Sequence, residues 1–344
     1  MAIGTTANDG RRLLITGGSG FIGTNVIEAF LAGASSVLNI DIAPPLNPEH
    51  ASHWRRVDIL DIAALRDAVI SFRPDLVIHL AARADLDEKR SLAGYAANIQ
   101  GVSNLIEAIV AAESVERTFF ASSRLVCDLG YQPKHDRDYK ASTMYGLSKA
   151  HGEELVRKAP SGLGTWAILR PTGIWGPWFG APYLDFFRTI GRGLYVHPGR
   201  RDVLKAYGYV GNTVHQLRRL AASPRDAIHG RTFWVADPPI HVREWAEIIQ
   251  QALGARRIRS VPVPVLRIAG MMGDVIEKAG IGHAPLTSFR VVNMVSDMLF
   301  DTTPLDDLVG PLPFTLDQGV NRTVEWLNSR PGGRDLSSAL RGST

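Results

Sequence analysis

The chain has 344 residues, 45% of them apolar and 21% charged, with a formal net charge of +4. This is the composition of a globular protein with one large domain or two, and it excludes a natively disordered chain. Lysines and arginines are scattered rather than striped, so no nucleic-acid partner is expected. The single cysteine, Cys127, excludes an intrachain disulfide and a cysteine-based zinc site, and fits a reducing cytoplasm.

In chain order, residues 1–10 are small and polar without a signal-like apolar core, and read as a flexible tail. Leu13 to Thr16 has strand character and runs into Gly17-Gly18-Ser19-Gly20-Phe21-Ile22-Gly23, which opens an amphipathic helix to Leu31. Gly17 permits the tight turn, Gly20 lets backbone approach a pyrophosphate, and Gly23 lets helix pack on strand. The first-turn N–H groups of that helix then face the anion. Asp41 ends the next apolar run 21 residues past Gly20. A carboxylate there accepts hydrogen bonds from an adenosine ribose and repels a 2′-phosphate, so NAD is expected over NADP. A short strand is expected over 56–58, and a helix over Ile62 to Phe72 with Asp61 as its N-cap. A doubly buried strand is expected from Asp75 to Leu80, followed by Ala81 and Ala82, small enough for close approach of a ligand. Leu92 to Ala112 has helical periodicity, Arg117 to Ser122 reads as a strand, Ser142 to Lys158 as a helix, and Thr165 to Arg170 as the next strand.

This alternation predicts an α/β fold: a Rossmann-type, doubly wound parallel sheet over 11–175. Beyond Pro171 the rhythm loosens into a smaller, interleaved C-terminal substrate lobe, mainly 176–328, of short helices and loops. Later segments such as 205–236 return to the sheet domain, Arg231 to Ala236 as a further strand. The stretch Val261 to Ile276 is too short and too interrupted to span a bilayer, and no membrane partner is expected. Residues 329–344, rich in Gly, Ser and Arg, read as a second tail.

Tyr145 and Lys149 stand four apart on a helix and share a face. A free phenol has a pKa of about 10, but a cation ~4 Å away supplies roughly 4 kcal/mol at an effective dielectric near 20. Tyr145 is therefore expected to exchange a proton with a ring hydroxyl near neutral pH. Ser122 and Ser123 end a strand at the carboxyl edge of the sheet, where such folds bind ligands, and one of them can hold the reacting oxygen. The histidines show no metal spacing and no metal is expected. Cys127 reads as a buried thiol.

The glycine turn, His79-Leu80-Ala81-Ala82, Ser122-Ser123, Tyr145 to Lys149, and Leu169-Arg170-Pro171-Thr172-Gly173-Ile174-Trp175-Gly176-Pro177 resemble, in order and spacing, the extended short-chain dehydrogenase/reductase family, of the NAD-dependent epimerase/dehydratase type. The similarity runs from Arg11 to Leu327 and is strongest over the first 180 residues or so. The resemblance implies a Ser-Tyr-Lys triad of Ser123, Tyr145 and Lys149, with Lys149 also holding the nicotinamide ribose. It implies NAD contacts from Gly17, Gly20, Phe21, Ile22, Gly23, Asp41, Leu80, Ala81, Ala82, Asn98 and Tyr145. It also places Asp58 and Ile59 at the adenine, Asn98 in support of the active site, and Pro171 and Ile174 at the carboxamide. Candidate substrate contacts are Arg124, Trp175, Arg200 and Lys205, the last in place of a diphosphate-binding arginine. The family's dehydratases resemble Thr-Asp-Glu at the serine position. Here Ser123-Arg124-Leu125 offers no carboxylate, so dehydration is not expected.

The function so implied is an NAD-dependent nucleotide-sugar epimerase that oxidises and re-reduces C4. Gly173, where many sugar-modifying members resemble asparagine, and the Leu-Arg-Pro motif, which resembles the 3β-hydroxysteroid dehydrogenase branch, keep a second reading open. That reading is a net dehydrogenase or keto-reductase of a sugar or steroid-like ring. A non-catalytic NAD sensor is the third. The resemblance also implies a cytoplasmic homodimer built on 92–112 and 143–158.

Overall fold

The computed structural model describes residues 10–33, 36–199, 203–280, 282 and 286–330. Arg200 and nearly all of both expected tails lie outside them. The chain forms two units: one of 1–174, 208–237 and 301–313, the other of 175–207, 238–300 and 314–344.

The first unit is built on β1 (Arg12–Thr16), α1 (Phe21–Leu31), β2 (Ser36–Asp41), β3 (Trp54–Arg56), α2 (Ile62–Phe72), β4 (Leu76–His79), α3 (Ala96–Ala112), β5 (Arg117–Ala121), α4 (Met144–Arg157) and β6 (Thr165–Pro171). With the strand Arg231–Val235 they make one seven-stranded sheet in the order Arg231–Val235, β6, β5, β4, β1, β2, β3, every pair parallel. Side-chain alternation along β1 sorts the core into two layers. Leu13 and Ile15 join Val26, Ile27 and Phe30 of α1 on one face, while Leu14 joins Leu65, Val69, Leu105 and Ile109 of α2 and α3 on the other. The Rossmann-type architecture read from the alternation is present, and Arg231–Val235 does extend the same sheet.

Local chemistry sets most of the ends. Asp61 caps α2 through a bond from the Ala64 amide, and Thr143 caps α4 through one from Gly146. The strand expected over 56–58 lies earlier, at β3. Its partner β2 ends at Asp41, opposite Arg56, and Asp58 turns away by accepting the Leu60 amide. The periodicity from Leu92 begins as a 3₁₀ turn, Leu92–Tyr95, before α3 proper.

Chain order reverses where β1 lies between β4 and β2, so the carboxyl ends of β1 and β4 open the crevice in which such sheets bind ligands. Deeper in the sheet, β5, β6 and α4 are joined by one carboxylate. Glu153 accepts from Ser122 Oγ (2.6 Å) at Oε1, from Arg170 Nε and Nη2 (2.8 Å each), and from Arg157 Nη1 (3.0 Å). The Glu153 and Arg170 side chains are each 1% exposed.

In the second unit, Trp175 and Trp245 pack with ring centroids 5.3 Å apart, and Phe187 lies against both. The short helices expected here are in part long ones: Val263–Lys278 and Leu316–Ser329.

Burial opposes the charge on Glu153, but Arg170, Ser122 and Arg157 outweigh it and hold the carboxyl below its usual range. The pair's contribution to stability is complete above the ordinary carboxyl value of 4.5 and is lost as acid titrates Glu153 below it. Arg170→Met, which removes two of the bonds to the buried carboxylate and leaves Arg157 as its ion-pair partner, is expected to cost about 3 kcal/mol, read as a lowered urea midpoint at neutral pH.

Candidate active site

The β1 turn brings backbone against backbone. Gly17 has φ +74°, and a Cβ there would sit 2.5 Å from the Ala81 amide nitrogen. Only glycine satisfies both demands. The turn is tied to its neighbours by Gly17 N donating to Ile40 O (2.9 Å) and Leu80 N donating to Thr16 O (2.9 Å). Helix α1 starts at Gly20 without a side-chain cap, which leaves its dipole and first-turn amides available to an anion. Asp41 stands at the end of β2, with Oδ2 accepting from Ser19 N (3.1 Å) and Oδ1 from Ala43 N (3.0 Å). The carboxylate is thus fixed in place while each oxygen keeps acceptor capacity for a ribose hydroxyl. An uncapped helix start behind a glycine turn, with a fixed carboxylate at the next strand end, fits a dinucleotide.

The triad candidates come from β5 and α4. Ser122 is engaged by Glu153, and it is Ser123 that favours the charged form of the Tyr145 phenol. Ser123 Oγ also accepts from Leu125 N (3.1 Å), which fixes its rotamer. Tyr145 is buried, and Tyr95 lies beside it with ring centroids 6.1 Å apart. Gly146 allows this packing, since a Cβ there would fall 1.9 Å from the Leu125 carbonyl oxygen. Lys149 is buried and its Nζ donates to Ala121 O (2.8 Å) at the end of β5.

The electrostatics correct one expectation. The Tyr145 phenol is not lowered by Lys149. Burial raises it first; Ser123 lowers it, Tyr95 raises it, and Arg124 lowers it. Lys149 is itself pushed down to about 8 by burial, against the pull of Glu153. His79 carries no charge near neutrality, being pushed down to about 3 by burial and by Lys149, and its Nδ1 lies 2.6 Å from Thr16 Oγ1.

The remaining candidates fall into place unequally. Asn98 is buried with its amide engaged: Oδ1 accepts from Arg83 N (2.8 Å), and Nδ2 donates to Arg83 O (3.0 Å) and Ser148 Oγ (2.9 Å). Ser148 in turn donates to Tyr145 O (2.7 Å), so Asn98 braces the helix that carries the phenol. Asp58 is exposed at a turn, and Ile59 is buried under α3 against Gly101. Phe21, Ile22, Leu80, Ala81, Ala82 and Pro171 are half-buried, and Ile174 is buried. Trp175 lies in the aromatic core of the second unit rather than on a surface open to substrate. Lys205 is also buried, with Nζ donating to Asn293 O (2.9 Å) and Asn293 Oδ1 (3.1 Å). Cys127 is a buried thiol raised by burial. Among the described residues no group of His, Cys, Asp and Glu could hold a metal ion.

Sequence reasoning missed Glu153, Arg170, Ser148 and Asn39. The first was signalled by its place four residues after Lys149. Asn39 donates to Ser19 Oγ (3.0 Å) under the glycine turn, and a Cβ on Gly18 would meet its Oδ1 at 2.4 Å.

Comparison with known proteins agrees with this fold. The model of the NAD dependent epimerase/dehydratase family matches residues 13–236. The N-acetyl-alpha-D-glucosaminyl-diphospho-ditrans,octacis-undecaprenol 4-epimerase of Escherichia coli O157:H7 is 27% identical over 330 residues, covering 91% of this chain and 94% of that protein. A 3 beta-hydroxysteroid dehydrogenase/Delta 5-->4-isomerase of Mycobacterium tuberculosis (strain ATCC 25618 / H37Rv) is 30% identical over 278 residues, 75% of this chain and 72% of that protein. In fold, the chain is similar to UDP-glucose 4-epimerase of Thermotoga maritima, solved with UDP-glucose (TM-score 0.71, 20% identity, 92% of this chain and 98% of that one).

Asp41→Ala removes a carboxylate placed to accept from a ribose hydroxyl and to repel a 2′-phosphate. Calorimetric titration is expected to show NAD binding weakened about tenfold or more, and a narrowed gap between NAD and NADP.

Proposed function

Since the chain belongs to the NAD-dependent epimerase/dehydratase family, we propose that it is an epimerase of a diphosphate-linked sugar, with Ser123, Tyr145 and Lys149 as its catalytic residues. The observation that carries the assignment is the division of labour between the adjacent serines. Ser122 is engaged by Glu153, which leaves Ser123 as the serine that acts on the phenol and favours its charged form. NAD, the family's cofactor, supplies the hydride acceptor and donor. Gly17, Gly20, Gly23 and Asp41 would hold its pyrophosphate and ribose.

The chain's own part is proton transfer and positioning. Ser123 holds the carbinol oxygen at the phenol. Tyr145 takes the hydroxyl proton as the carbon is oxidised and returns it on re-reduction. Lys149, held on the Ala121 carbonyl, would hold the nicotinamide ribose, while the charge that favours the phenolate comes from Arg124. For the ketone to be reduced on its other face the sugar ring must turn over within the site, which a diphosphate anchor permits.

A net dehydrogenase of a steroid-like ring is the second reading, and Lys205 favours it. Its ammonium is bonded to Asn293 within the second unit rather than offered to a phosphate. The Escherichia coli relative, named for a lipid-diphosphate sugar, supports the first reading, and the Mycobacterium relative supports the second. A homodimer through the helices 96–112 and 144–157 is part of the proposal, as is a cytoplasmic site of action.

Two outcomes test it. With UDP-, GDP- and dTDP-sugars, C4 inversion without accumulation of NADH supports the epimerase, whereas steady NADH production from a sterol supports the alternative. Tyr145→Phe is expected to lower turnover about 10²–10⁴-fold while leaving NAD affinity unchanged. Turnover is also expected to fall above pH 8 or so, where Lys149 loses its charge. A rate flat to pH 10 or so would remove Lys149 from the mechanism.

A further inference from the structure

The helix Val263–Lys278 is amphipathic the wrong way round for a helix on the surface of a water-soluble unit. The residues it buries are Leu266, Gly270 and Gly273, spaced four and three apart on one stripe. The opposite stripe is Ile268, Met271, Met272 and Val275, all exposed, Met272 at 64% and Val275 at 65%. Val265 and Ile276 extend it along one flank, and Arg267 and Lys278, both exposed, border the other. The small inward stripe has a reason. A Cβ on Gly270 would meet Val291 Cγ2 at 3.0 Å and the Ser288 amide at 3.1 Å, so glycine lets the helix Ser288–Val295 pack closely. Asp274 accepts from Ser288 N (3.0 Å) and locks the pair. No comparable packing need explains the large apolar side chains outside.

We propose that this face docks on an anionic lipid membrane, with the helix lying in the plane of the interface. Among the described residues no helix is long and apolar enough to cross a bilayer. An apolar stripe bordered by basic residues is instead the pattern of a helix that inserts its face at the headgroup boundary. Arginine and lysine stems cover apolar surface while their charges reach the headgroups. Charge complementarity points the same way: the exposed Arg267 and Lys278 border the stripe, and the neighbouring sequence adds Arg256, Arg257, Arg259 and Arg290, against Asp274 and Glu277.

A protein partner is the weaker fit. The stripe has none of the aromatic anchors that dominate protein interfaces. A second copy is weaker still. A 16-residue helix offers a face of ~24 Å by ~10 Å, well under the ~800 Å² per partner of a stable interface. The proposal replaces the expectation of no membrane partner, and it does not rest on the reaction assigned above.

The test is sedimentation of the full chain with vesicles of phosphatidylcholine and phosphatidylglycerol in equal parts, against phosphatidylcholine alone. Wild-type protein is expected to bind the mixed vesicles and to be released by high salt. Met272→Glu with Val275→Glu is expected to lower the bound fraction about tenfold or more, and Arg267→Glu with Lys278→Glu to abolish the preference for anionic lipid. Met272→Leu is expected to bind as wild type. These positions are exposed, so melting temperature and NAD affinity should be unchanged, which separates docking from misfolding. Absence of wild-type binding, or equal binding by the Met272→Glu, Val275→Glu variant, overturns the proposal. So does a wild-type oligomer that this variant splits while neither form binds vesicles.

Discussion

The buried carboxylate of Glu153 is the constraint on which the candidate site depends. It reaches β5 through Ser122, β6 through Arg170, and the next turn of its own helix through Arg157. A charge so deep persists only when its partners outweigh the cost of leaving water. Here two arginines and the hydroxyls of Ser122 and Tyr139 surround it. Two consequences follow for chemistry. Ser122 is taken out of play, which leaves its neighbour to meet the phenol. And α4 is fixed against the end of β5, where the Lys149 ammonium finds the Ala121 carbonyl.

The electrostatic order along α4 differs from the simple picture of a lysine acidifying a tyrosine one turn away. Tyr145, Lys149 and Glu153 occupy successive turns. The negative end holds the middle charge in place, while burial acts against charge at all of them. In the chain alone the phenol therefore keeps its proton at neutral pH. Lys149 spends much of its influence on its neighbours: it receives the pull of Glu153 and helps to keep His79 neutral. The downward influences that do reach the phenol, Ser123 and Arg124, come from the turn after β5. That gives Arg124 a reason to lie there beyond contact with substrate.

Much of the first unit was legible because its signals are local. Asp61 and Thr143 cap helices through their own side chains, and the strand from Leu76 to His79 is apolar on both faces because both are covered. The glycine turn could be read from its place between a strand and a helix, and the shared helix face of Tyr145 and Lys149 from their spacing. What escaped depended on partners distant in sequence. The extent of β3 is set by where β2 stops, and the role of Arg170 by a carboxylate 17 residues earlier. Trp175 and Lys205 misled for the same reason. Their residue types suit a ligand, but the second unit encloses one among aromatic rings and binds the other to Asn293.

The second unit also shows why an apolar run is ambiguous. Composition alone rules Val261 to Ile276 out as a membrane span, and nothing in the run distinguishes a core helix from a surface one. The distinction lies in which positions are small. Gly270 and Gly273 are buried, and Gly270 admits Val291 and the turn before it, so burial on that side is achieved by backbone closeness as well as by Leu266. The larger apolar groups are thereby left to the outside. A chain under pressure only to remain soluble would place charge at Ile268, Met272 and Val275, because no inward contact requires an apolar residue there. That their exposure serves contact with an apolar phase is the reading under which both stripes of the helix have a physical reason.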